Sequence, residues 1–146
     1  MHSKISAEDR SEILELISLY AYTFDEDRLS DYVALFLDDA ELSFYNTGSD
    51  RPTVTSSSNQ ERLRVMQDIR SGPINQPGQP RHTQTNTILT AIAPGRVAGR
   101  TMLTCTQQPY DASPCRLLFT GVYEDVFQQT DQGWRFAERK GFLDSA

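Results

Sequence analysis

At 146 residues, with 38% hydrophobic and 10% aromatic residues, the chain has the make-up of one folded domain, 1–146, rather than a disordered segment. A net charge of −6, with the acidic residues spread along the chain, disfavours nucleic acid as a partner, because neutralising phosphates takes clustered Lys and Arg. No apolar run reaches the ~18 residues of a membrane span, and the opening ten residues lack the apolar centre of a secretory signal, so the expected location is the cytoplasm with no membrane partner.

Ser6, followed by Ala-Glu-Asp, resembles a capping box, its hydroxyl placed to accept from the Asp9 N–H. Apolar residues then recur at Ile13, Leu16, Ile17, Tyr20 and Phe24, the spacing of a helix with one buried face, and Asp25 closes it. Residues 27–36 read as a second short helix through Leu29, Tyr32, Val33 and Phe36, broken by Asp38-Asp39-Ala40. Residues 41–45 alternate as a strand, residues 47–58 form a polar loop with a short strand at 52–55, and residues 59–69 read as a third helix.

Residues 71–80 hold three prolines and two glycines, which makes them an irregular loop at the rim of a pocket and a candidate lid hinged at Gly72 and Gly78. Four long strand patterns follow at 82–92, 97–107, 116–129 and 134–142, separated by turn signals. Helices first and antiparallel strands afterwards predict an α+β domain, its helices covering one face of a curved sheet.

Two titratable residues stand out. Apart from His2, beside Met1, His82 is the only histidine, and it opens the run Arg-His-Thr-Gln-Thr-Asn. An imidazole oriented by a buried carboxylate is the minimal equipment for taking a proton from carbon near neutral pH. Asp25 stands at a helix C-terminus, where a carboxylate is electrostatically disfavoured and so suggests another use, although capping the next helix would also explain it. Cys105 and Cys115 flank Pro109-Tyr110-Asp111 and would face each other in a hairpin, but a disulfide is not expected in a reducing compartment. The absence of CxxC or HxxxH spacing, of a dinucleotide fingerprint and of a P-loop leaves no metal or nucleotide cofactor expected.

The blocks Leu-Tyr-Ala-Tyr-Thr-Phe-Asp25, Leu-Phe-Leu-Asp-Asp-Ala-Glu-Leu42, Arg81-His-Thr-Gln-Thr-Asn, Gly121-Val-Tyr-Glu-Asp and Gly133-Trp-Arg-Phe-Ala-Glu-Arg139 resemble, in this order, the SnoaL-like family. That family belongs to the cone-shaped α+β barrels of the nuclear transport factor two superfamily. The resemblance spans residues 6–141 and implies that fold. It covers scytalone dehydratase, hexachlorocyclohexane dehydrochlorinase, ketosteroid isomerase, polyketide cyclases, dioxygenase small subunits and non-catalytic binding domains.

Matching the dehydratase and dehydrochlorinase branch implies Asp25 and His82 as the catalytic pair, with Asp25 accepting from Nδ1–H so that Nε2 faces the pocket. Arg139 matches an arginine that stabilises departing negative charge, against the alternative of a surface pair with Glu138 or Glu124. Tyr20, Tyr22 and Tyr123 are candidate hydrogen-bond donors to substrate, with core packing as the alternative. Asn86, two alternations from His82, would share its strand face and hydrogen-bond the ligand, with a place on the sheet rim as the alternative, and Trp134 reads as core. The activity implied is a cofactor-independent lyase or isomerase, foremost a dehydratase, acting on a small apolar cyclic or polyketide-like molecule. The alternatives are an aldol-type cyclase and a non-catalytic binding or assembly subunit. A homo-oligomer, dimer or trimer, joined through an apolar sheet face is also implied.

Overall fold

A computed structural model describes residues 4–144; His2 lies outside them. The elements run α1 (Ala7–Asp25), α2 (Leu29–Val33), β1 (Phe36–Asn46), β2 (Val54–Ser56), α3 (Asn59–Arg70), β3 (Gly78–Ala93), β4 (Arg96–Pro109), β5 (Arg116–Thr130) and β6 (Gly133–Leu143). The sheet order is β2-β1-β6-β5-β4-β3. Every pairing is antiparallel except β1 with β6, which is parallel. The sheet curves without closing, and the helices lie against its inner face in the expected cone-like α+β arrangement.

The Ser6 hydroxyl accepts from Asp9 N at 3.0 Å, starting α1 as the capping pattern predicts. Ile13, Leu16, Ile17, Tyr20 and Phe24 then form its buried face. Trp134 is core, as expected, and anchors the start of α1: its indole N–H donates to Asp9 at 3.0 Å and its backbone N–H to Glu12 at 3.3 Å. The core runs from α1 through Leu29, Tyr32 and Met66 to Leu42, Leu103, Phe127 and Phe136 on the sheet.

Three boundaries differ from the sequence reading. The second helix stops at Val33 and the chain becomes strand at Phe36. Phe36 stacks on Phe136 with centroids 5.0 Å apart, while Leu35 O accepts from Phe136 N at 2.9 Å, so sheet contacts override helical periodicity there. Asp38-Asp39-Ala40, expected as a break, lies inside β1: between the pairs Phe36↔Phe136 and Glu41↔Glu138, β1 bulges outward against a shorter stretch of β6. The buried Arg62 guanidinium donates to the Ala40 carbonyl and secures this bulge.

The third difference lies in the loop at 71–80, whose last three residues already belong to β3. Gly78 pairs with Pro109, and a Cβ there would meet the Gln107 side chain at 2.6 Å. It is packed against its neighbour, which corrects its reading as a hinge.

Cys105 and Cys115 are free thiols. Cys105 is buried between His82 and Phe119 in the strand register, and Cys115 is exposed ahead of β5, so the two do not face each other.

Candidate active site

Asp25 is the last residue of α1 and is buried. One carboxylate oxygen, Oδ2, accepts from the His82 backbone N–H at 2.8 Å, and the other, Oδ1, stands 2.6 Å from His82 Nδ1. The carboxylate therefore grips the backbone and ring of His82 together, joining the end of α1 to β3. A carboxylate only accepts, so this contact assigns the proton to Nδ1 and leaves Nε2 as the free ring nitrogen. The His82 ring is held edge-on by Phe24, with centroids 5.2 Å apart, and by Phe119 at 6.1 Å.

A carboxylate at the negative end of a helix needs compensation. Here the α1 carbonyls of Phe24 and Asp25 accept from the buried Arg70 guanidinium, both at 3.1 Å, and Asp25 O also accepts from Gln79 Nε2 at 2.8 Å. Burial, with a smaller push from Asp25, raises the Cys105 thiol to about 12, so it is neutral beside the pair.

His82 lines a cavity of about 400 Å³ with Tyr20, Phe24, Phe119 and Tyr123, while Asp68 and Asn75 also line it from the α3 side. Residues 72–75 form one wall, pinned where Asn75 Nδ2 donates to Ile69 O at 2.9 Å. The pocket-rim expectation for this loop thus holds for its first half. Burial, reinforced by Tyr20, holds the Tyr123 phenol well above its ordinary value against the opposing pull of Arg139. Tyr123 is a neutral hydroxyl over the physiological range, able to donate to an oxygen in the cavity.

Arg139 is fully buried and does not pair with Glu138 or Glu124. Its Nε is 3.0 Å from Asp125 Oδ1, and its Nη2 donates at 2.6 Å to Gln84 Oε1. Its guanidinium carbon lies 3.5 Å from the Tyr123 ring centroid and 4.0 Å from that of Tyr20. It stands behind the two tyrosines and is not among the cavity-lining residues. Burial pushes the Asp125 carboxyl up to about 7, with Arg139 pulling it down.

Two sequence candidates are not brought to this cavity. Tyr22 lies two positions beyond Tyr20, about 200° round the helix, and is 57% exposed on the outer side of α1. Asn86 sits in a bulge of β3 between Thr85 and Ile88, at φ +58°, and is exposed. The bulge breaks the alternation that was to carry Asn86 to the face of His82, and Gln84 takes the inner place, with Nε2 donating to Ile17 O at 2.9 Å. Gln84 was legible by the same alternation one step earlier. Arg70, Gln79 and Asp125 carried no comparable signal, because their partners are remote in sequence. Among the described residues no group of three or more His, Cys, Asp and Glu side chains could hold a metal ion.

Comparison with solved structures shows what this fold resembles. A candidate beta subunit of an aromatic-ring-hydroxylating dioxygenase from Novosphingobium aromaticivorans is 20% identical, with 93% of this chain and 89% of that one covered and a TM-score of 0.79. A candidate scytalone dehydratase from the same organism is 17% identical, covering 94% and 85%, with a TM-score of 0.76. A type 2 hexachlorocyclohexane dehydrochlorinase is 20% identical, covering 96% and 90%, with a TM-score of 0.74. At these identities the likeness is one of fold. A search among curated proteins returned no match. The SnoaL-like domain model matches residues 6–140, nearly the whole chain, and on that match the protein belongs to the SnoaL-like family.

Proposed function

We propose that the protein is a cofactor-independent lyase or isomerase, foremost a dehydratase, acting on a small, largely apolar cyclic or polyketide-like molecule. The observation that carries this reading is the 2.6 Å contact of Asp25 with His82 Nδ1, which leaves Nε2 free on a ring lining an apolar, aromatic-walled cavity. In the reaction, Nε2 takes a proton from a carbon made acidic by a neighbouring carbonyl. The C–H electron pair moves into a new C=C bond, first as an enolate whose oxygen accepts from the Tyr20 or Tyr123 hydroxyl. The carbon–hydroxyl bond then breaks, the imidazolium returns its proton to the departing oxygen, and water leaves. Asp25 stabilises the transient imidazolium, and Arg139 and Asp125 hold the tyrosines from behind. Because His82 supplies and receives the only proton in transit, this chemistry calls for no metal or nucleotide.

Self-association belongs to the same proposal. Met102, Val122, Phe142 and Tyr45 stand in register across β4, β5, β6 and β1 on the outer face of the sheet, with Met102 53% and Phe142 37% exposed. An apolar row bordered by the Arg100–Glu124 and Lys140–Glu138 pairs suits a second copy of the same face, giving a homo-oligomer.

The experiment is turnover of a panel of neutral hydroxylated cyclic ketones by the wild type and His82→Ala. Loss of one compound's dehydration in the variant supports the reading. Equal turnover in both proteins overturns it. Binding with no turnover by the wild type favours the alternative of a small-molecule-binding or assembly subunit. An aldol-type cyclase would instead close a longer polyketide with the same two residues.

A further inference from the structure

We infer that Arg70 is a positioning residue for the Asp25–His82 pair, fixing where the carboxylate sits. The inference rests on the proposed catalytic use of that pair.

The last carbonyls of a helix have no partner within it, and α1 has no basic residue in its last turn to approach them. The turn that follows supplies part of the need, with Asp27 N–H donating to Phe24 O at 3.1 Å, and a side chain from α3 supplies the rest. Arg70 is the final residue of that helix and only 7% exposed. Its Nε donates to Phe24 O and its Nη2 to Asp25 O, so one planar group bridges two successive carbonyls at the residue that carries the carboxylate. A lysine ammonium is a point charge on a flexible stem and does not reproduce that bridge.

Gln79 meets the same Asp25 carbonyl from β3, three residues before His82, and also donates to Pro80 O at 3.0 Å. The backbones on both sides of the Asp25–His82 contact are thereby tied to one acceptor. This arrangement goes beyond what a helix end needs, since Arg70 and Gln79 converge on the carbonyl of the residue whose side chain orients the histidine.

The test uses Arg70→Met, Arg70→Lys and Gln79→Leu, with the proton resonance of the hydrogen-bonded His82 Nδ1–H followed by NMR of nitrogen-15-labelled protein at fixed pH, and kcat and KM followed on any panel compound turned over. Arg70→Met is expected to move or broaden that resonance as the carboxylate loses its fixed place. It should also lower kcat at least ~10-fold with KM little changed, the mark of lost alignment rather than lost binding. Arg70→Lys should recover only part of kcat. Gln79→Leu should lower kcat by less than Arg70→Met.

A folded Arg70→Met whose His82 Nδ1–H resonance matches the wild type overturns the positioning role. If Arg70→Met does not fold, Arg70→Lys decides, and wild-type kcat and resonance in that variant overturn the bridging role. The NMR measurement needs no substrate. A moved resonance without turnover of any compound sinks the catalytic reading and upholds the positioning, whereas turnover with an unmoved resonance sinks the positioning alone.

Discussion

Asp25 with His82, and Asp125 with Arg139, are both buried carboxylates held close to a basic side chain, and both touch the ring of aromatics around Tyr20 and Tyr123. They differ in what the outward side of the base meets. His82 lines a cavity, whereas Arg139 is covered by three aromatic faces and by Gln84. A base that must exchange a proton with a substrate needs the first arrangement. A cation that holds two phenols in place is served by the second. Pairing and burial alone do not distinguish chemistry from architecture; access does.

The difference can be broken experimentally. The largest effect belongs to His82→Gln, expected to cost about 10²–10⁴-fold in turnover while the thermal midpoint stays within a few degrees of wild type. Comparable turnover in the two would remove the contrast between the pairs. Arg139→Met should do the reverse at first, destabilising the fold by about 3–5 kcal/mol because it leaves Asp125 buried without its cation. Denaturant titration measures that loss, and the double change Arg139→Met with Asp125→Leu should recover much of it.

Asp125 also gives the sealed pair a pH signature. Its folded-state carboxyl is pushed up to about 7 by burial, whereas in the unfolded chain an aspartate ionises near ~4. Between those values the folded protein holds a proton that the unfolded chain has released. Its contribution to stability is therefore fully present below about pH 4, declines as pH rises towards about 7, and is level above. Urea midpoints at pH 5 and pH 8 should show a fall for the wild type that Asp125→Asn lacks; parallel behaviour of the two proteins would count against it. The smallest effect is expected from Tyr22→Ala, on the outer side of α1. It should change stability by no more than about 0.5 kcal/mol and leave turnover intact, which assays on a single preparation can check.

The readable part of the site was the part written in local periodicity. Helical spacing brought Asp25 to the end of α1 with Tyr20 on the inner face, whereas the partnership of Asp25 with His82, 57 residues apart, was legible only through the family resemblance. Tyr22 was expected in the site against the helical spacing, since residues two apart on a helix do not share a face, and strand alternation misplaced Asn86 because a bulge at positive φ interrupts the pleat. The burial of Arg139 was hidden for another reason. Its partners are Asp125 on the neighbouring strand and Gln84 from across the sheet, and Arg70 likewise bonds to carbonyls 45 and 46 residues away. Such contacts depend on how the sheet curves, which no local pattern records. Phe36 shows the same limit in the fold, since stacking on Phe136 ends a helix that its own neighbours would continue.

The parallel pairing of β1 with β6 sets an order of events during synthesis. Leu42 finds its place beside Arg139, so β1 waits through almost a hundred further residues for the neighbour that fills that side. At ribosomal speeds of about 5–20 residues per second, the wait is on the order of ten seconds. The contact between α1 and β3 becomes available well before that, so Asp25 can find His82 while the strand carrying Arg139 is still being made. Meanwhile the open side of β1, with Leu42 and Phe44 uncovered, is an adhesive edge for other nascent chains. Slower elongation between β5 and β6 would lengthen that exposure and lower the yield of folded protein without altering a single contact in the finished molecule.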